Sequence, residues 1–192
     1  MIERPGGHQK IPDHATKVFT GVMFDVYQWE QELFDGTTVI FEKLRRPDTV
    51  SIVATTSDHK ILLITDEQPG RDAVLTIPGG RVDAGEDPEV AVRRELLEET
   101  GYEAKELVLW KGYQPVSKLD WAFYVFIGRG VEKVTEPHLD AGERITMREV
   151  TLDELIELMQ HPDFQGKEIS VDLLEAKYDS EQRKALEILL FG

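Results

Sequence analysis

Between Pro88 and Thr100 the chain reads PEVAVRRELLEET, and its acids are spaced for one side of a helix. At about 100° per residue, with Val90 at zero, Glu98, Glu95 and Glu99 fall at roughly 80°, 140° and 180°. Val92, Leu96 and Leu97 fall at roughly 200°, 240° and 340°. One side therefore packs into a core while the other gathers three carboxylates, with the small Ala91 among them. Like charges at i, i+3 and i+4 repel by a few tenths of a kcal/mol per pair, so the cluster invites a counter-charge. Arg93 or Arg94 could supply it, and so could a divalent cation, because Mg²⁺ takes carboxylate oxygens and keeps waters or substrate phosphates. A solvated acidic face is the third reading of Glu-x-x-Glu-Glu taken alone.

The elements that would position these acids are marked in the sequence. Asp87 is a good N-cap, Pro88 sits where its missing N–H costs nothing, and Gly101 closes the far end. Just upstream, Pro78-Gly79-Gly80 allows a close backbone approach and Gly85-Glu86 forms a second turn. Val22, Phe24, Val26 and the run to Phe34 predict a strand, Asp35-Gly36 a two-residue hairpin turn, and Thr37 to Phe41 the partner strand. Val50 to Thr55 and Lys60 to Thr65 predict a second pair, Glu67 to Asp72 a loop, and Val74 to Ile77 a short strand. Beyond the helix, strands are expected at Glu106 to Tyr113, Trp121 to Ile127 and Ile145 to Val150. Thr151-x-x-Glu154 is a capping box opening a helix to about Gln160, and the remainder to Phe191 reads as one or two helices. Met1 to about Lys17 is polar and rich in Pro, Gly and His, a loose or draped arm.

Composition bounds the function. The 192 residues carry 22 Lys plus Arg against 37 Asp plus Glu, a net charge of −15, which disfavours electrostatic capture of nucleic acid. A phosphate-bearing substrate is admitted only where something local reverses the sign, such as a bound cation. Without cysteine there is no thiolate nucleophile, disulfide or cysteine metal site. No stretch approaches the ~18 apolar residues of a membrane helix, and the N-terminal segment has no apolar h-region. A soluble, cytoplasmic protein is the expectation.

Gly80, five residues, Glu86, seven residues, then Arg94-Glu95-Leu96-Leu97-Glu98-Glu99-Thr100-Gly101-Tyr102 matches the Nudix box G-x5-E-x7-R-E-U-x-E-E-x-G-U at every specified position. The chain thus resembles a Nudix hydrolase. The resemblance implies a loop–helix–loop within an α/β/α sandwich on a mixed sheet, here 49–192, after an N-terminal arm and antiparallel strand segment, 1–48. It implies hydrolysis of a nucleoside diphosphate linked to another moiety. By this likeness Glu95, Glu98 and Glu99 hold Mg²⁺ or Mn²⁺, with the carbonyl of Gly79 a further ligand. Arg94 and Glu86 form a supporting ion pair.

The stretch from Val18 to Gly101 is similar to the ADP-ribose pyrophosphatase branch, as is the proline beyond the box, here Pro115. Members of that branch dimerise by exchanging their N-terminal strands, whose side chains help hold adenine; Trp29 and Tyr27 are candidates, with core or dimer packing the alternative for each. An acid in the loop before the last core strand is expected to act in catalysis. Glu143 is the candidate general base or further metal ligand, with Asp140 and Glu136 behind it; an exposed acidic turn is the alternative. The chain departs from the branch at Thr76, where a glutamate is usual, and at Gln68-Pro69-Gly70-Arg71, where Gln-x-Arg is usual. Ser117 to Trp121 replaces a more glycine-rich segment. Arg71 could clamp a phosphate with its guanidinium fork, Arg45 and Arg46 share that ambiguity with ordinary surface arginines, and Lys118 is a candidate contact to the distal phosphate or sugar. The leading function is Mg²⁺-dependent hydrolysis of a nucleoside diphosphate sugar, ADP-ribose first, by a homodimer. Another sugar nucleotide, a nucleoside triphosphate, or a non-catalytic nucleotide-sensing module are the rivals.

Overall fold

Period-two alternation in the central strands decides the layers. The computed structural model describes residues 2–139 and 141–192. Seven strands precede the acidic helix: β1 (Thr16–Thr20), β2 (Asp25–Glu32), β3 (Thr38–Arg45), β4 (Thr49–Thr55), β5 (Ile61–Gln68), β6 (Arg71–Thr76) and β7 (Gly79–Arg81). The helix is α1 (Pro88–Thr100), followed by β8 (Tyr102–Glu103), β9 (Glu106–Tyr113), β10 (Leu119–Asp120), β11 (Phe123–Arg129), β12 (Glu132–Lys133) and β13 (Arg144–Val150). Three helices close the chain, α2 (Leu152–Leu158), α3 (Ser170–Tyr178) and α4 (Ser180–Phe191), with a 3₁₀ turn at Lys167–Ile169 before α3.

The central sheet runs β13-β5-β4-β11-β9, with β6 on β5 and β7 on β4. It is mixed, because β11 lies parallel to β4 while β9 and β13 pair antiparallel. Val50, Ile52 and Ala54 of β4, Leu62 of β5 and Tyr124 and Phe126 of β11 face one way and pack with Ala91, Val92 and Leu96 of α1. Their alternates Val53, Ile61, Leu63, Val125 and Ile127 face the other way and pack with α2, α3 and α4. A sheet buried on both faces needs helices on both, which is the α/β/α sandwich expected from the sequence. The second sheet is β1-β2-β3-β10. Its last strand comes from beyond residue 48 and runs parallel to β3, so the N-terminal strands are joined to the rest through a shared sheet.

Helix ends follow the capping chemistry. The Asp87 carboxylate accepts from the Glu89 N–H, Pro88 opens α1, and Gly101 closes it at φ 76° with its N–H on the Leu97 carbonyl. The Thr151–Glu154 box is made in both directions, but α2 ends at Leu158, short of Gln160. Two turns differ from expectation. The Asp35-Gly36 hairpin uses three loop residues: Leu33 N–H donates to Thr37 O (2.8 Å), Gly36 N–H to Leu33 O (3.0 Å), and Gly36 takes φ 80°. Residues Glu67 to Asp72 are not a loop, since β5 continues to Gln68 and β6 starts at Arg71 around Pro69-Gly70. A positive φ of 78° at Gly70 makes so tight a return possible.

Candidate active site

The close approach of two glycines brings the acids under the strand ends. A Cβ on Gly80 would run into the Glu95 carboxylate, and one on Gly79 into the backbone of Val50 and Ser51. Because β7 can lie that near, the Gly79 N–H donates to Glu99 Oε2 at 2.8 Å. Glu95, Glu98 and Glu99 open into a cleft of about 690 Å³ that Asp66, Gln68, Arg71, Arg94 and Glu143 also line.

Arg94 spends every donor it has in this cleft. Nε and Nη2 form a fork on Glu86 (3.0 and 3.1 Å), Nη1 reaches Glu95 (2.9 Å) and Glu98 (3.0 Å), and Nη2 also meets the Arg81 carbonyl (2.9 Å). These contacts take up all five guanidinium N–H groups. Arg94 is thus the counter-charge, whereas Arg93 pairs with Glu89 on the exposed side. The Glu86 carboxyl is held below its usual pKa, chiefly by Arg94, and the Arg94 pKa is raised, chiefly by Glu86.

The remaining acids are under charge stress. Burial raises the Glu95 pKa against the pull of Arg94, with Glu98 and Glu143 adding to the rise. Burial also raises Glu99 well above the usual range; the Gly79 N–H opposes this, and Glu95, Glu143 and Asp66 reinforce it. Asp66 Oδ1 is buried without a hydrogen-bond partner. Hard oxygen donors, raised carboxyl pKa values and an orphaned carboxylate oxygen are the chemistry a divalent cation satisfies. Among the described residues no three Asp, Glu or His side chains ring a single point. Arg94 and the Gly79 N–H hold the oxygens instead. The residues fit the cation by type and burial, with Arg94 standing in the charge it would supply.

Of the other candidates, Glu143 lines the cleft, accepts from Gln68 Nε2 (3.2 Å), and is electrostatically coupled to Glu95 and Glu99. Arg71 lines it too, with its guanidinium on Asp66. The displaced arginine of Gln68-Pro69-Gly70-Arg71 is therefore brought back by the tight β5–β6 turn. Glu136 pairs with Lys133 and is exposed, and Asp140 lies outside the described residues. Trp29 and Lys118 line neither this cleft nor its neighbour. Trp29 is 5% exposed and lies 6.0 Å from Phe41, ring to ring, and Lys118 sits 4.9 Å over the Phe41 ring. Burial supports packing as the role of Trp29. Tyr27 lies under the Arg45 guanidinium at 4.7 Å.

Sequence reasoning missed Asp66 and Arg81 and gave Gln68 no role of its own. Leu62, Ile64, Asp66 and Gln68 share one face of β5, so the switch from apolar to polar at the period of two marks where the strand leaves the core for the cleft. Thr49 and Arg81 are register partners on β4 and β7, which brings Arg46 and Arg81 together. The Arg46 guanidinium stacks at 4.7 Å on Trp121, whose indole N–H is fixed on Thr49 Oγ1 at 2.9 Å. Its own bonds go to neutral oxygens, the Pro47 carbonyl (3.3 Å) and the Thr49 hydroxyl (3.4 Å). Burial first, then the Arg81 charge, lower its pKa. Two adjacent guanidinia held so are a place for an anion.

Comparison with known proteins gives the family. Residues 45–172 match the NUDIX domain family model. The chain is 31% identical over 147 residues to the ADP-ribose pyrophosphatase of Bacillus subtilis, covering 75% of this chain and 80% of that one. It is 29% identical over 147 residues to the methanol dehydrogenase activator of Bacillus methanolicus, again 75% and 80% of the two chains. A crystal structure of an ADP compounds hydrolase superposes with a TM-score of 0.70 at 21% identity, covering 95% of this chain and 98% of that one, and so shares its fold. The chain belongs to the Nudix family and is a Nudix pyrophosphohydrolase. Within that family it is similar to ADP-ribose pyrophosphatase.

Proposed function

We propose that the protein hydrolyses the diphosphate linkage of a nucleoside diphosphate sugar, ADP-ribose being the leading substrate, to give AMP and ribose 5-phosphate. The observation that carries this is the cleft itself, which brings the acids Glu95, Glu98, Glu99, Asp66 and Glu143 together with the cations Arg46, Arg71 and Arg81 in one lining. Acids alone would repel a diphosphate and arginines alone would only bind it. The named activity of the Bacillus subtilis relative gives ADP-ribose its priority.

In this mechanism Glu95, Glu98 and Glu99, with the Gly79 carbonyl, would hold Mg²⁺ or Mn²⁺, which when bound would neutralise diphosphate oxygens and lower the pKa of water. Glu143 takes the proton of the attacking water, and Gln68 orients that carboxylate. Arg46, Arg71 and Arg81 hold phosphate oxygens in line with the attack. Arg94 and Glu86 keep the acids of α1 in register. Tyr27 of the N-terminal sheet is the candidate contact for the base and Lys118 for the distal phosphate or sugar; both lie outside the lining of the two clefts. That sheet leaves Phe19 (59%), Phe34 (114%) and Ile40 (61%) exposed, which supports a homodimer through the N-terminal strands.

The test is a panel of sugar nucleotides and nucleoside triphosphates, with and without Mg²⁺, scored by release of phosphatase-sensitive product. ADP-ribose should lead and turnover should vanish in chelator. Glu98→Gln should remove at least ~99% of turnover and leave the melting temperature within about 2 °C, because Glu98 is 46% exposed. Full activity in that variant refutes the assignment.

A further inference from the structure

The polar N-terminal segment is tied to both halves of the chain. The Ile2 N–H donates to Asp87, the cap of α1, at 3.3 Å, and the Ile2 side chain packs on the α1 side of the core. The Pro5 carbonyl accepts from Gln114 at 3.0 Å, and the Gln9 carbonyl from the buried Lys43 ammonium. Between these ties Arg4 lines a second cleft of about 730 Å³, which shares Met23, Arg46, Arg81 and Asp83 with the acid cleft.

Arg4 is the hub of that wall. Its Nε and Nη2 form a fork on Asp48 at 2.7 and 2.8 Å, and Nη1 reaches Asp120 at 2.9 Å. Asp120 holds Arg45 Nε at 2.8 Å. Asp48 accepts the Ala122 N–H on its side chain at 2.8 Å and the Val82 N–H on its carbonyl at 2.9 Å. The segment Arg45 to Asp48 is thereby fixed between β7 and the start of β11. Asp48 lies near enough to Arg46 to raise its pKa, yet its carboxylate is engaged by Arg4 and the Ala122 N–H. Without Arg4, Asp48 would be free to draw the Arg46 guanidinium away from Arg81.

We infer that Arg4 is a positioning residue for substrate: by occupying Asp48 and Asp120 it leaves Arg46, beside Arg81, facing the cleft to grip the phosphate of a nucleoside diphosphate sugar. This deepens the function proposed above and rests on it. Arg4 touches none of the reacting groups, so its contribution falls on binding. The anion it serves is the phosphoryl group on the side away from the α1 acids.

Arg4→Ala should raise KM for ADP-ribose about tenfold, with kcat within twofold, and weaken a non-hydrolysable methylene analogue by the same factor in calorimetry. Arg4→Lys keeps the charge but not the fork and should recover part of the loss. Where Arg4→Ala does not fold, Arg4→Gln, which keeps two donors, is measured in its place. Unchanged KM and analogue affinity in a folded variant overturn the inference, as does a fall in kcat with KM held. A wild-type protein that neither hydrolyses nor binds the diphosphate overturns the functional reading and this inference together. A wild type that does both, matched by its Arg4 variant, overturns the inference alone.

Discussion

Replacing Arg94 with alanine withdraws one cation from three carboxylates. Glu86 and Glu95 are 13% and 14% exposed, and Arg94 itself 30%. Removing one partner of a buried pair costs about 3–5 kcal/mol. The cleft is open to solvent, and the Glu98 contact, 46% exposed at the acid, adds ~0.5 kcal/mol at most. The low end, about 3 kcal/mol, is therefore expected at neutral pH in chelator. For a chain of this length that lowers the melting temperature by roughly 6–12 °C. The pH dependence has a definite sign. Arg94 depresses the native Glu86 pKa, so the pair's contribution is complete above the unfolded-state value and is lost as pH falls through the native one. The deficit of the variant should shrink below about pH 4. Mg²⁺ offers Glu95 and Glu98 the charge that Arg94 gave them, so it should raise the midpoint of Arg94→Ala more than that of the wild type. Thermal melts by far-ultraviolet circular dichroism, in chelator and in Mg²⁺ across pH, measure all three effects. A neutral-pH deficit below about 1 kcal/mol, or equal Mg²⁺ shifts in both proteins, refutes the reasoning.

Burial and the neighbouring acids raise Glu99, so in chelator the native state binds this proton more tightly than the unfolded one and stability should rise as pH falls from neutral toward ~5. Glu99→Gln should flatten that rise and stabilise the metal-free protein at neutral pH, as read from urea midpoints. Gly101 combines φ 76° with a site where a Cβ would run into the Thr135 carbonyl. Gly101→Ala should cost about 2 kcal/mol or more in urea unfolding, and a loss under ~0.5 kcal/mol would show that the segment at Thr135 yields freely.

What the sequence disclosed follows from how local each determinant is. The spacing of Glu95, Glu98 and Glu99, the Asp87 cap and the Gly101 stop are set within one helix; the structure makes the cap and the stop and brings the three acids to one cleft, while Ala91, read among the acids, packs into the core and Val90 is exposed. The apolar run of β4, Val50 to Ala54, marks a strand for the same reason, whereas the division of its side chains between two core layers is set by the helices that pack on each face. Turn lengths were less legible, because Asp35-Gly36 and Pro69-Gly70 are both compatible with loops of several sizes and the pairing of long strands decides between them. Asp66 could be read only by following β5 past its apolar stretch. Arg4 could not be read at all: its partners Asp48 and Asp120 lie 44 and 116 residues away, and a polar arm has no periodicity that announces where it docks. Trp29 illustrates the same limit from the other side, since an aromatic in a strand gives no sign of whether its ring will be covered by Phe41 or left to meet a base.

A net charge of −15 sets a problem for any site that takes a diphosphate, and the side-chain pairing answers it by separating two kinds of arginine. Arg94 is saturated, with four of its N–H groups on carboxylates and one on the Arg81 carbonyl, and Arg4 is engaged by Asp48 and Asp120 through three of its own; both quiet acids that would otherwise repel a substrate. Arg46 is bonded to neutral oxygens and stacked on Trp121 beside Arg81, and so retains its attraction for phosphate. Exchanging the roles would fail both ways. An unsaturated guanidinium at position 94 would leave Glu86, Glu95 and Glu98 without their counter-charge, and a saturated one at position 46 would leave the phosphate only Arg71 and Arg81 in this cleft. Long-range attraction is absent in a protein this acidic, so the site must work by contacts at close quarters, where the placement of a few guanidinium groups outweighs the sign of the whole.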